Sequence, residues 1–544
     1  MAWYPDSVAF LSFAGACMAV KGVSTAPVSH GYDNVSAMAE REPHPPVGAA
    51  GTPAPAGPVV VCGAGPAGLT AAYELGKLGL TCQVLEEDES YVGGIARTAQ
   101  YRGYRFDIGG HRFFSKNDEI EELWTEILGT EMLTRDRLSR IFYKGKFFDY
   151  PIQAVNALRN LGLLEAARCG FSYMWAKVHP RKNPKNLEDW VSNQFGYRLF
   201  SIFFKTYTEK VWGMSTRELS ADWAAQRIKG LDLWTVIVTA LPWHRTPKSR
   251  KEVTKTLIDH FRYPRLGPGQ CWDMVAASLA QRGMPVAMGQ KVVGVSRRGR
   301  SLLAVATLQR DGSKKEWPAR FVVSSMPLRD LIGMIDPPPP PPVLTAARAL
   351  RYRDFLTVAL IVHKQDLFPD NWIYIHDPIV KVGRIQNFKN WSPDMVADEQ
   401  YTCVGMEYFC FEGDGLWNSS DAELIAMAGK ELAVLGFCTA DEVVDGTVVR
   451  QPKAYPVYDE TYADNVETIR TWLESELPGL FCVGRNGMHK YNNQDHSMLT
   501  ALIAARRIAG VTDMDPWKVN SDAEYHEEQR VGEDTTGRRV PAPV

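Results

Sequence analysis

No apolar run in these 544 residues reaches the roughly 18 to 20 that a membrane-spanning helix requires. The longest tempting stretch, Trp234–Trp243, is about half that length. The chain therefore reads as a soluble protein. The nine cysteines form no C-x-x-C pair and show no metal-like Cys/His spacing. That pattern predicts free buried thiols in a reducing compartment, with neither a disulfide framework nor a metal site. Charge of neither sign dominates: 61 Lys and Arg face 63 Asp and Glu, for a net charge of -2. Nothing here attracts nucleic acid or an anionic membrane globally, so an anionic substrate has to be met locally. An apolar patch at Val8–Val20 lacks the basic residues and cleavage site of a signal peptide, with Asp6 in place of a cation. A cytoplasmic location is expected.

The length exceeds what one hydrophobic core fills, so two packed domains are expected. Pro43, Pro45, Pro46, Pro53 and Pro55 lie in an Ala/Gly/Ser-rich stretch, which predicts a disordered tail over 1–57. Met38 stands at the usual distance of a natural start before the first strand. A strand at Pro58–Cys62, a glycine turn, a helix at Pro66–Leu78 and a strand at Thr81–Glu86 make a βαβ opening. Helical periodicity then dominates to His260, as in Asp118–Leu128, Val155–Val178 and Leu187–Phe200. A helix at Gln270–Arg282 and strands at Gln290–Ser296, Leu302–Gln309 and Phe321–Ser325 follow. Six prolines, Pro337–Pro342, predict a rigid exposed connector. Strands at Leu356–Val362, Asn371–Ile375, Thr402–Phe411 and Gly479–Val483 precede a helix at Ser497–Ala509.

The fold class is thus α/β: a Rossmann-like nucleotide-binding domain from discontinuous segments (58–116, 263–336, 477–512). Between them lie a helical insertion (117–262) and a strand-rich substrate domain (337–476), with a C-terminal tail at 513–544.

Gly63, Gly65 and Gly68 form G-x-G-x-x-G between the first strand and helix, with Pro66 and Ala67 inside the motif. The first glycine makes the turn, the second admits a pyrophosphate, and the third lets helix pack on strand. The pyrophosphate would meet the helix N-terminus. Glu86, with Glu87 after it, ends the second strand, where a carboxylate accepts hydrogen bonds from the ribose hydroxyls. Only one such glycine motif is present, which leaves no second Rossmann domain for a nicotinamide cofactor.

Val92-Gly93-Gly94-Ile95-Ala96-Arg97-Thr98 resembles the second flavin motif of the amine oxidase and protoporphyrinogen oxidase superfamily. The resemblance makes the cofactor FAD. Gly109, Gly110 and His111 resemble the loop that faces the isoalloxazine there, and His111 is the foremost active-site candidate. Tyr207-Thr208-Glu209-Lys210-Val211-Trp212-Gly213 is similar to the Tyr-Thr-x-Lys-Gln-Trp-Gly segment of UDP-galactopyranose mutases, and Glu218-Leu219 follows at the matching distance. Glu407-Tyr408-Phe409, Tyr455-Pro456-Val457, Gly484-Arg485 and Tyr491–Asp495 continue the likeness. It departs where Val211 replaces Gln, where Arg227 is out of register, and where Asn493-Gln494-Asp495-His496 replaces Asp-Met-Asp.

The resemblance implies cofactor contacts from Val292, Asn493, Gln494, Asp495 and Ser497 besides the glycine motifs. It implies a substrate side lined by Lys210, Trp212, Arg227, Arg384 and Glu407. The basic stretch Arg245–Lys255 reads as a solvated loop. Around Arg384, residues 383–391 read equally as polar substrate contacts or as a loop bounding a sheet. The expected activity is an FAD-dependent oxidoreductase acting by hydride transfer at flavin N5 on a sugar nucleotide, glycoconjugate or related metabolite. A non-redox pyranose/furanose mutase using reduced FAD is the alternative, and a flavin-bearing scaffold without turnover a third.

Overall fold

The computed structural model describes residues 57–150, 154–219 and 260–520. The tail read over the first 57 residues, the stretches Trp234–Trp243 and Arg245–Lys255, and Arg227 lie outside the described residues, Gly57 excepted.

Val59–Cys62 runs parallel to Cys82–Leu85 on one side and to Phe321–Ser324 on the other. Leu480–Cys482 and Val286–Ala287 complete a five-stranded sheet, so its members come from widely separated parts of the chain. All four residues of the central strand are buried, as expected of a parallel strand covered on both faces. Helices Pro66–Lys77 and Gln494–Ile508 pack on each other against one face. On the other, Leu328–Gly333, Pro341–Ala349 and Tyr462–Glu476 enclose a second apolar cluster.

A seven-stranded sheet forms the other layer, in the order Val443–Pro456, Tyr352–Val362, Thr402–Cys410, Arg384–Asn387, Trp372–Ile375, Ser139–Tyr143, Lys146–Asp149. Every residue of Tyr352–Val362 is buried because both faces are covered. Leu356, Val358 and Leu360 face the helix Asp421–Val434, and Phe355, Ala359 and Ile361 face the opposite cluster.

The structure departs from the sequence reading in several places. The stretch in which helical periodicity dominates contains the strands Met132–Asp136, Ser139–Tyr143 and Lys146–Asp149, and His260–Pro264 at its end pairs with the first of these. Helix Val155–Val178 is two helices, Ala154–Leu161 and Leu163–Val178, because Gly162 has φ 80°. Gly196, with φ 79°, breaks Leu187–Phe200 in the same way. The proline run is not all connector: Pro341 opens a helix, where its missing N–H costs nothing. Arg384–Asn387 is an internal strand, not a loop, and Val443–Pro456, which carries little alternation, is the longest strand among the described residues.

Candidate functional site

At the end of the first strand Gly63 takes φ 96°, a left-handed conformation that only glycine adopts freely, and its N–H bonds to Leu85 O at 2.8 Å. A Cβ on Gly68 would stand 1.8 Å from Gly63 O, so the helix can approach the turn only with glycine there. Gly65 is the N-cap and brings no side-chain oxygen to the first turn, which opens with Pro66 and the buried Ala67. Gly93 N–H bonds to Ala64 O, and a Cβ on Gly94 would lie 3.3 Å from Gly65 Cα. Two glycine turns thus meet backbone to backbone at an uncapped helix end, the geometry an anionic pyrophosphate uses.

Glu86 closes this turn from the side. Its carboxylate accepts from Ala64 N–H at 2.6 Å and from Asp88 N–H at 3.0 Å. Burial raises its pKa, and the two amides oppose that rise. Glu87 turns away to an ion pair with Lys291 at 2.8 Å. Val292 is buried in the strand Lys291–Arg298, at a bulge that shifts the register between Val292 and Gly294.

Arg97 is tied down at both ends of the site: one guanidinium nitrogen donates to Gly94 O at 2.9 Å and to Gln451 Oε1 at 2.8 Å. Gln451 sits on the seven-stranded sheet, so Arg97 links the glycine turn to the second layer. Thr98 has a different neighbourhood. It accepts from Gly269 N–H and donates to Asp107 Oδ1, both at 3.0 Å, and the Tyr263 hydroxyl donates to Asp107 Oδ2 at 2.5 Å. Burial pushes the Asp107 carboxyl up to about 7, against the pull of these hydroxyls.

Asp107 leads into Gly109, with φ 89°, then Gly110 and His111. His111 Nε2 lies 3.0 Å from Ile108 O. Burial, with Arg485 and Arg384 nearby, lowers its pKa to about 3, so its imidazole is neutral. A Cβ on Gly110 would stand 2.6 Å from Gln386 Nε2, which puts this loop directly on the sheet.

There the sheet presents a polar row. Thr357, Glu407, Arg384 and Tyr374 are successive cross-strand partners. Arg384 grips Glu407 with two nitrogens, at 2.6 and 2.8 Å, and Gln386 Nε2 donates to Glu407 Oε1 at 3.0 Å. Burial pushes Glu407 up to about 7, and the Arg384 and Gln386 contacts pull it down. Tyr207 lies over this row, parallel to His376 with ring centroids 4.8 Å apart and edge-on to Tyr374. The Tyr207 hydroxyl, Thr357 Oγ1 and Gln386 Oε1 are buried without a hydrogen-bond partner among the described residues. Three polar atoms without a partner thus surround one ion pair, where a buried polar group calls for an explanation.

Gly484, with φ 77°, comes so close to Ala67 that a Cβ would be 2.9 Å from that of the alanine. Its neighbour Arg485 lies over both Tyr455 and Tyr491, 5.1 Å from each ring centroid, and donates to Asn492 O and Ala454 O. Asn493 is the N-cap of the helix Gln494–Ile508, and its N–H meets His496 Nδ1 at 3.3 Å. Asp495, in the first turn, accepts from Ser115 Oγ at 3.1 Å, and Ser497 is buried in the same helix. Gln494 Oε1 is buried without a partner among the described residues.

Most of the expected residues therefore converge, and Lys210 and Trp212 are held by protein groups. Lys210 Nζ donates to three main-chain carbonyls, of Ile375, Asp377 and Val382, at 3.2, 2.7 and 3.0 Å. Burial lowers its pKa to about 8. Trp212 is packed in the aromatic core at the end of the helix Thr206–Trp212. Arg353 caps that helix end, donating to Val211 O and Phe409 O beside Gly213. Sequence reasoning missed Tyr207, Gln386 and Thr357. Tyr207 stood in the quoted motif, and Gln386 is two residues from Arg384, the spacing that shares a strand face.

The fold is that of several flavoproteins. A reduced UDP-galactopyranose mutase matches with a TM-score of 0.71 at 19% identity, covering 86% of this chain and 97% of its own. A protein of Exiguobacterium sp. 255-15 assigned as a protoporphyrinogen oxidase gives 0.61 at 16%, covering 82% and 98%. A putrescine oxidase redesigned in its cofactor binding gives 0.56 at 15%, covering 84% and 99%. A family model described as flavin-containing amine oxidoreductase matches residues 66–481. That match runs from the first turn of the glycine-motif helix to the last strand of the parallel sheet, and the chain belongs to this flavin-containing family.

Proposed function

We propose that the protein binds FAD between its two sheets and oxidises or reduces a hydroxyl-bearing metabolite, a sugar nucleotide or glycoconjugate, held against the row Thr357–Glu407–Arg384. FAD fits the residues present. Gly63, Gly65 and Gly68 with Gly93 and Gly94 would hold its pyrophosphate, and Glu86, with Val292, its adenosine half. The N-terminus of the helix Gln494–Ile508 and the orphaned Gln494 Oε1 would meet the polar edge of the ring. Bound there, FAD supplies hydride exchange at N5.

The observation that carries the substrate side is the buried Arg384–Glu407–Gln386 cluster touching the Gly110–His111 loop. Glu407 accepts, and the Tyr207 and Thr357 hydroxyls can donate or accept, so the site suits a polyol. Arg384 and Lys210 already have carboxylate or carbonyl partners, which makes this wall a poor seat for a diphosphate. A phosphate-bearing part of the substrate would extend away from it. Neutral His111, whose Nε2–H donates to Ile108 O, leaves Nδ1 to accept one hydrogen bond and carries no charge to the substrate.

Anaerobic stopped-flow absorbance at the flavin bands tests this, with oxidised and dithionite-reduced protein mixed in turn with UDP-, GDP- and dTDP-sugars. Bleaching of oxidised flavin by one sugar supports the reading. Conversion only by reduced protein, with the flavin unchanged and a ring isomer formed, replaces it with mutase chemistry.

A further inference from the structure

The helix Leu163–Val178 is apolar on two opposite sides. Cys169 and Tyr173 turn into the core. On the far side Leu163, Leu164, Phe171, Met174, Trp175 and Val178 are 56% to 88% exposed. No other helix or strand among the described residues exposes more than one large apolar side chain. Leu164, Phe171, Trp175 and Val178 follow at steps of seven, four and three, which lines them up in one stripe. A stripe this apolar, set in water, marks a surface made to be covered.

Charge says by what. Residues 158–185 hold six Lys and Arg against one acid, Glu165, and so carry a net +5 in a chain whose total is -2. Arg168 and Lys177 on the helix and Lys182 and Lys185 just after it are all exposed, and the ring of Trp175 stacks on His179 at 4.2 Å. A second copy of this chain would bring the same basic stretch against itself, which opposes the contact. An anionic surface meets apolar stripe and cations together, and an aromatic belongs at the level of its headgroups.

We infer that the helix Leu163–Val178 docks the protein in the plane of an anionic lipid bilayer, its stripe among the acyl chains and its lysines at the headgroups. The helix lies on the bilayer and does not cross it: among the described residues no helix is long and apolar enough to span a membrane. The docking is independent of the chemistry proposed above.

Co-sedimentation of the full-length, flavin-loaded protein tests it, with vesicles of phosphatidylcholine alone or mixed two to one with phosphatidylglycerol. The protein should pellet with the mixed vesicles and be released by added salt. The Phe171→Asp/Trp175→Asp variant should lose binding about tenfold or more, and Lys182→Glu/Lys185→Glu should weaken it. Both should keep the flavin content and melting temperature of the parent, since all four positions are exposed. Absence of binding to the mixed vesicles, or unchanged binding by both variants, overturns the inference. So does a dimer that Phe171→Asp/Trp175→Asp dissociates in the absence of any vesicle binding, which would assign the stripe to a second copy.

Discussion

Arg384 and Glu407 are direct partners across two antiparallel strands and form a two-pronged ion pair with almost no exposure to solvent. Such a pair is costly to break from one side, because the surviving charge stays buried alone. Glu407→Leu should destabilise the protein by about 3–5 kcal/mol in urea unfolding. Adding Arg384→Leu to it should restore much of that loss, while turnover stays abolished in both variants. A double variant no more stable than the single would mean that the two charges are not coupled.

Lys210 should behave as a clamp. Its three carbonyl partners fix residues 375–382, which lead directly into the strand carrying Arg384. Lys210→Met should lower stability by about 2–3 kcal/mol through unsatisfied carbonyls, in denaturant titration. Flavin should still bind. A substrate-contact lysine would instead give a stable protein with a raised KM.

Gly68→Ala should abolish cofactor loading, read as the ratio of flavin to protein absorbance. The new Cβ would meet a backbone oxygen at 1.8 Å, and no side-chain rotation relieves that. Normal flavin content in Gly68→Ala would be incompatible with so close an approach of helix to turn.

Asp107 predicts a pH dependence of stability. Its folded pKa, about 7, is above the unfolded value of 3.8. The folded state therefore binds more protons between these values, and stability contributed by this group falls as pH rises through that window. Asp107→Asn, which cannot ionise, should flatten the melting-temperature profile between about pH 4 and 7. An unchanged slope would assign it to other groups.

His111, lowered to about 3 by burial, does not titrate in the range where an enzyme assay is run. Any pH-rate limb near neutrality should survive His111→Gln and should be lost in Glu407→Gln, whose amide cannot ionise, since burial raises Glu407 to about 7. Loss of the limb in His111→Gln would overturn the neutral assignment.

What the sequence disclosed depended on the range of the forces involved. The turn Gly63–Gly68 and its helix are local, fixed by glycine conformations and a 3.6-residue period, and the expected helix bounds differ from those found by a single residue. Gly162 and Gly196 broke helices that periodicity alone had joined, because a break there costs only a glycine in left-handed conformation. The strands Ser139–Tyr143 and Arg384–Asn387 were invisible because each is short and carries polar residues that only the sheet it enters buries. Arg384 and Glu407 could be nominated by resemblance, but their partnership is a matter of register, and no sequence separation encodes it. Lys210 shows the converse. A lysine in a polar motif suggests a ligand contact, and only tertiary structure delivers three carbonyls to it.

The parallel sheet has a consequence for how the protein is made. Its central strand, Val59–Cys62, is the first element among the described residues, yet the strand Leu480–Cys482 and the helix Gln494–Ile508, which packs on Pro66–Lys77, come near their end. A nascent chain can form the βαβ opening early, but it cannot pack the helix Gln494–Ile508 on Pro66–Lys77 until translation has passed residue 508. Through most of synthesis, apolar faces meant for that late helix stay open to water, which makes the unfinished polypeptide a client for chaperones. At the site proposed above, flavin could be enclosed only after the helix Gln494–Ile508 has emerged.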